Sequence, residues 1–121
     1  MDARTIDLEE TFWRTQYRSR PYVTYGGRVD DYLPAYRYGI DACIQFPDRS
    51  FSEVEEMLSR NWIRARGTSS LKWTKARLAV QDSWARMGQI VAALKVAAVA
   101  TAEREGKELA ERLAHAPDKL R

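Results

Sequence analysis

Two runs of apolar residues with identical spacing constrain this chain more than any other feature. Phe51, Val54, Leu58 and Trp62 step by three, four and four positions, and Trp73, Ala76, Val80 and Trp84 repeat the same steps. Such spacing places each quartet on one face of an α-helix. The intervening Arg66-Gly67-Thr68-Ser69-Ser70 reads as a short helix–helix turn. The centre of the chain is therefore expected to be an αα-hairpin with matching apolar stripes. Trp62 and Trp84, which end their stripes, are expected to be buried.

The flanking segments extend this into an all-α fold. Asp7 and Glu10 have the spacing of a capping box, which predicts a first helix from about Leu8 to Arg18, ended by Pro21. The Tyr-rich stretch Tyr22 to Val29 reads as an ordered loop, because an isolated two-stranded hairpin is marginal in water. Asp30-Asp31 then caps a second helix, Tyr32 to Gln45, with Pro34 in its first turn, where the missing N–H is harmless. One face of it carries Tyr32, Ala35, Tyr36, Gly39, Ile40 and Cys43, and Gly39 leaves room for another element to approach. Pro47 closes it, and Ser50 with Glu53 forms a capping box for a third helix, Phe51 to Ala65. A fourth helix is expected from Lys72 to about His115, ended by Pro117. This divides the chain into a helical core domain, 1–88, and an extension of the last helix, 89–121, for oligomerisation or partner docking.

At 121 residues the chain supports one modest core. Its single cysteine, Cys43, cannot form an intramolecular disulfide, which suits a reducing compartment. The N-terminus leads into an acidic amphipathic stretch rather than a signal core. The most apolar run, Ile90 to Ala102, contains Lys95 and falls short of the roughly 20 residues of a membrane span. A cytoplasmic protein without a transmembrane span is the expectation. Charge is unevenly distributed: residues 1–48 hold six basic and eight acidic residues, 49–88 hold eight and four, and 89–121 hold six and five. No acid lies between Met57 and Gln81, where Arg60, Arg64, Arg66, Lys72, Lys75 and Arg77 all fall. This basic hairpin tip is the candidate nucleic-acid contact, since each phosphate neutralised releases counterion and a helix N-terminus can meet a phosphate. Because the same helices supply the core stripes, a solvated edge or an acidic protein patch is the favoured reading of the tip.

No enzyme can be assembled from the sequence. The only histidine, His115, stands four residues after Glu111, a surface pairing rather than a bundle metal site, so no metal or cofactor is expected. Cys43 sits on an apolar face, where thiols are inert. Gly26-Gly27 lacks a phosphate-loop pattern and reads as a turn. The tyrosines and arginines of residues 14–38 could stack on bases, but the region is net acidic and favours packing. Beyond Trp84 the last helix turns apolar on most sides: Ile90, Val91, Leu94, Val96, Ala98 and Val99 surround its axis. A helix apolar on most sides has to be covered on most sides, so these residues are the candidate partner-binding face, in a homo-oligomer or against a protein partner.

Several motifs resemble a known pattern. They are Arg20-Pro21-Tyr22-Val23, Asp31-Tyr32-x-Pro34-Ala35-Tyr36-Arg37-Tyr38-Gly39, Asp48-Arg49-Ser50-Phe51-x-Glu53-Val54-Glu55, Arg66-Gly67-x-Ser69-Ser70-Leu71-x-Trp73 and Ala76-Arg77-x-Ala79-Val80-x-Asp82-x-Trp84. Over about residues 12–88 the chain is similar to a family of uncharacterised bacterial proteins often encountered beside general-stress proteins. The resemblance implies no activity and transfers no functional residue. The sequence departs from that pattern at Lys72, Thr74 and Lys75: in the family the last helix usually opens with a Ser or Asp cap and has acids after the Trp. The function expected is a non-enzymatic interaction or assembly module, stress-related or accessory to a larger complex. Nucleic-acid binding through the basic tip is the alternative.

Overall fold

The computed structural model describes residues 2–119, with side chains to residue 114. Its helices are α1 (Ala3–Gln16), α2 (Val29–Gln45), α3 (Phe51–Ala65) and α4 (Trp73–Lys119), with a 3₁₀ turn at Tyr17–Ser19. No strand occurs among the described residues, so the fold is all-α with a helical hairpin and a long last helix. Contacts group the chain into two units, Met1–Gly88 and Gln89–Arg121.

Local signals set some of these boundaries and misplace others. Ser50 accepts from the Glu53 amide while the Glu53 carboxylate accepts from the Ser50 amide, so the expected capping box opens α3. The start of α1 is Asp2 rather than Asp7: its carboxylate accepts from the Thr5 amide and hydroxyl at 2.9 and 2.8 Å. Both sites fit the same short cap pattern, and the earlier one adds a turn to the helix. In α2 the cap position is Arg28 without a side-chain cap, and Asp30 and Asp31 lie inside the first turn, where negative charge suits the helix dipole. At the far end α4 continues past Pro117 to Lys119. A proline two residues from a helix end removes one backbone bond and has little helix left to break.

Within residues 1–88 the hairpin is antiparallel, so the matched stripes pair crosswise. The Phe51 ring meets Trp84 at 5.9 Å, Trp62 meets Trp73 at 6.3 Å, and Glu55 pairs with Arg77. Trp62 is buried, and its indole N–H donates to the Leu71 carbonyl at 2.8 Å. Trp84 is only half-buried, as is Trp73. The buried side of α4 is instead Ala76, Ala79, Val80, Ser83 and Met87. That face is small because α2 lies against it. A Cβ built on Gly39 would collide with the Ser83 hydroxyl and the Val80 carbonyl oxygen and come within 3.1 Å of the Val80 carbonyl carbon. The close approach that Gly39 permits is thus used, and α2 becomes the central helix. It presents Tyr36 to Trp13 of α1 in a parallel stack at 4.4 Å and Tyr38 to Trp62 of α3.

The Tyr-rich loop is a succession of turns, with Val23 donating to the Arg20 carbonyl, Gly27 to Thr24, and Gly26 at φ 77°. Tyr25 stands in solvent, while the hydroxyls of Tyr17 and Tyr22 are spent inside the fold. Tyr17 donates to the Gly27 carbonyl, and Tyr22 donates to Asp82 at 2.6 Å and shares a 2.8 Å bond with Tyr36.

Trp62→Ala should therefore remove a buried ring and its hydrogen bond at a cost of about 3–5 kcal/mol. Trp84→Ala should cost less than half of that, because much of the ring already meets water. Urea denaturation of both variants checks this; equal losses would contradict the unequal burial of the two rings.

Candidate functional site

Three places combine functional side chains. The first is the clasp that ties the loop to α4. Arg20 grips Asp82 through Nε and Nη2 at 2.8 and 3.0 Å, and the Tyr22 hydroxyl completes the coordination of that carboxylate. Burial and the bond to Asp82 push the Tyr22 hydroxyl far above its ordinary pKa, and burial pushes Tyr36 up to about 12. Both stay protonated donors at any physiological pH. The four groups satisfy one another, so the clasp is a fastening. Beside it, buried Glu9 accepts from Arg86 at 2.9 Å, and the Arg86 guanidinium covers the Phe12 ring at 3.5 Å. Charge and burial offset here because the carboxylate is paired and the guanidinium rests on an aromatic face. Cys43 is buried and unpaired, and burial raises its thiol pKa, the opposite of an activated nucleophile. Among the described residues no cluster of His, Cys, Asp or Glu could hold a metal ion; the His115 side chain lies outside them.

The second place is the hairpin tip, whose six cations do not act as one patch. Arg77 makes a two-pronged pair with Glu55 at 2.7 and 2.9 Å, and Arg60 pairs with Glu56 one turn earlier on α3. Lys75 reaches the Thr24 hydroxyl at 3.4 Å and lies 6.0 Å over the Tyr32 ring. Arg64 and Lys72 are exposed and Arg66 is half-buried, and none of the three has an ion pair among the described residues. The turn carrying them is fixed from α2, a link that sequence reasoning missed. The Asp31 carboxylate accepts from the Ser70 amide and hydroxyl, both at 2.9 Å, and Ser69 donates to the Asp31 carbonyl at 2.6 Å. The only sequence signal for it is an acid on α2 and a pair of serines thirty-nine residues later, too generic to pair in advance.

The third place lies in the second unit, where residues 89–119 are a single continuous run of α4. Of the six candidate contact residues, Ile90 and Val91 are half-buried, while Leu94, Val96, Ala98 and Val99 are exposed, Val96 at 70% and Val99 at 57%. Lys95, Val96, Val99, Ala100 and Glu103 line a shallow, mostly apolar depression. By length and composition alone α4 could cross a membrane, its best 18-residue window reaching a mean hydropathy of 1.2 with 6% of it buried. Lys95 falls within the apolar run, and a lysine at a bilayer centre costs about 2.5–3.5 kcal/mol.

Comparison with models of known families, with curated proteins and with solved structures finds no match.

The Asp31 anchor has a defined pH dependence. The Ser70 amide bond, first, and the Ser70 hydroxyl and nearby Arg28 hold the Asp31 carboxyl below its ordinary value of 3.8. A depressed carboxylate contributes stability above its unfolded pKa and loses it as pH falls through the folded one. The Ser70 amide resonance should therefore titrate with a midpoint below pH 3.8. In Asp31→Asn that titration should vanish. A wild-type midpoint at or above the ordinary value would refute the anchor.

Proposed function

We propose that the chain is a non-enzymatic helical assembly module: residues 1–88 form a packed body, and the apolar run of α4 joins a second copy or a protein partner. The observation that supports this is the exposure of Leu94, Val96 and Val99 at 51%, 70% and 57% on one short run of helix. Leaving such a cluster in water is unfavourable by roughly 25 cal/mol per Å² of apolar surface, and exposed patches of this kind mark contact surfaces. Catalysis has less support, since the buried or half-buried carboxylates of Glu9, Glu55 and Asp82 are each paired with an arginine. A cytoplasmic setting and the absence of a cofactor belong to the same reading.

Nucleic-acid binding through the hairpin tip is the second reading, and what favours it is the grouping around one turn of Arg64, Arg66 and Lys72, which make no ion pair among the described residues. Three cations instead of six argue for contacts that are weak and lost at moderate salt.

Light scattering on the wild-type chain should show an oligomer at micromolar concentrations, and Leu94→Glu combined with Val99→Glu should reduce it to monomer. A monomeric wild type would contradict assembly through self-contact. Retention on DNA or RNA that disappears in Arg64→Ala, Arg66→Ala, Lys72→Ala would favour the second reading.

A further inference from the structure

The apolar run of α4 is not uniform around its circumference once the charged turns after it are included. Ala92, Val99, Gly106 and Leu113 recur every seven residues, a line that drifts only about 20° per step on an α-helix. Beyond residue 102 every apolar side chain up to residue 114 falls on the same side as Val99: Leu109, Ala110, Leu113 and Ala114 flank that line. The charged residues Arg104, Glu105, Glu108, Glu111 and Arg112 take the opposite side. Leu109 and Leu113 are exposed at 53% and 61%, so the line is unoccupied along the described length of the helix. Its residues are small at Ala92, Ala102, Gly106 and Ala110, which lets a second helix come close.

Two charges border this line symmetrically about Val99. Lys95 lies one turn before it and Glu103 one turn after it, on opposite flanks, and both line the shallow depression over Val99. Neither takes part in an ion pair among the described residues. A helix whose cation and anion stand at equal distances either side of a central apolar residue is complementary to itself when reversed. In antiparallel pairing across Val99, Lys95 of each copy lies level with Glu103 of the other, and Ala92 lies level with Gly106. In parallel pairing lysine meets lysine and glutamate meets glutamate, an arrangement that like-charge repulsion disfavours. Lipid is a poorer occupant, because residues 103–112 carry four glutamates against three cations rather than the basic face of an interfacial helix.

Resting on the assembly reading above, we infer that the occupant of this face is a second copy of the same chain, antiparallel, crossing at Val99 and locked by two symmetry-related Lys95–Glu103 pairs. The contact is isologous, so it closes at two copies and does not propagate.

Sedimentation equilibrium on the full chain tests it through a charge-reversal cycle. The wild type should be a dimer. Lys95→Glu and Glu103→Lys should each raise the dissociation constant by about tenfold, because both pairs become repulsive at once. The double variant Lys95→Glu, Glu103→Lys should return to within about threefold of wild type. Both positions are exposed, so folding is not at stake. A dimer indifferent to either reversal overturns the antiparallel contact and leaves the broader assembly reading standing. A monomeric wild type overturns both. Flotation of a monomeric chain with phosphatidylcholine vesicles also overturns the proposal and assigns the face to lipid.

Discussion

One contact decides how residues 1–88 pack: the crossing of α2 over α4 at Gly39. Wherever a helix carries a Cβ, its neighbour is held a side chain away. Here the backbone of α2 rests on the Val80 carbonyl and the Ser83 hydroxyl. Ser83 tolerates this because its hydroxyl turns back to donate to the Val80 carbonyl at 3.1 Å, so no buried donor is left open. The low relief of Ala76, Ala79, Val80 and Ser83 follows from the same requirement. Larger side chains would lift α2 and open voids along its length.

With α2 seated at that depth, the aromatic rings become spacers on either side of it. Trp13 and Tyr36 stack where α1 meets α2, and Tyr38 reaches past the crossing to the Leu58 carbonyl and the Trp62 ring of α3. The polar fastenings then close the periphery. Asp82, one residue before Ser83, accepts Arg20 and Tyr22 from the loop, and Asp31 at the other end of α2 holds the hairpin turn. Each fastening joins elements far apart in sequence and would lose its geometry if the crossing widened. Ionised hydrogen bonds of this kind are short-range and directional.

Much of this was legible from the residues, and what was not has physical causes. The capping box at Ser50 and Glu53 is a local device, so it reads correctly without tertiary knowledge. Gly39 also announced a close approach, but its partner was hidden. The tryptophans dominate the apolar pattern of α4, whereas the face that meets α2 is made of small residues with little hydrophobic signal. The basic tip looked denser in sequence because its acid partners, Glu55 and Glu56, stand just outside the acid-free interval and reach in from α3. The start of α1 was missed because two neighbouring cap patterns compete, and propensity alone does not choose between them. In residues 89–114 the apolar run was plain, while the heptad line through Val99 emerges only when the charged turns after it are read on the same helix.

The seating of α2 on α4 is tested most directly by comparing Gly39→Ala with Gly88→Ala in denaturant. Both glycines lie inside helices, and alanine is the better helix former by up to about 1 kcal/mol. At Gly88 an added methyl meets nothing within 4 Å, so that variant should be as stable as wild type or more so. At Gly39 the methyl strikes backbone, which cannot rotate away, and the loss should be about 3 kcal/mol. If Gly39→Ala is as stable as Gly88→Ala, the two helices do not touch there, and this account of the fold is wrong.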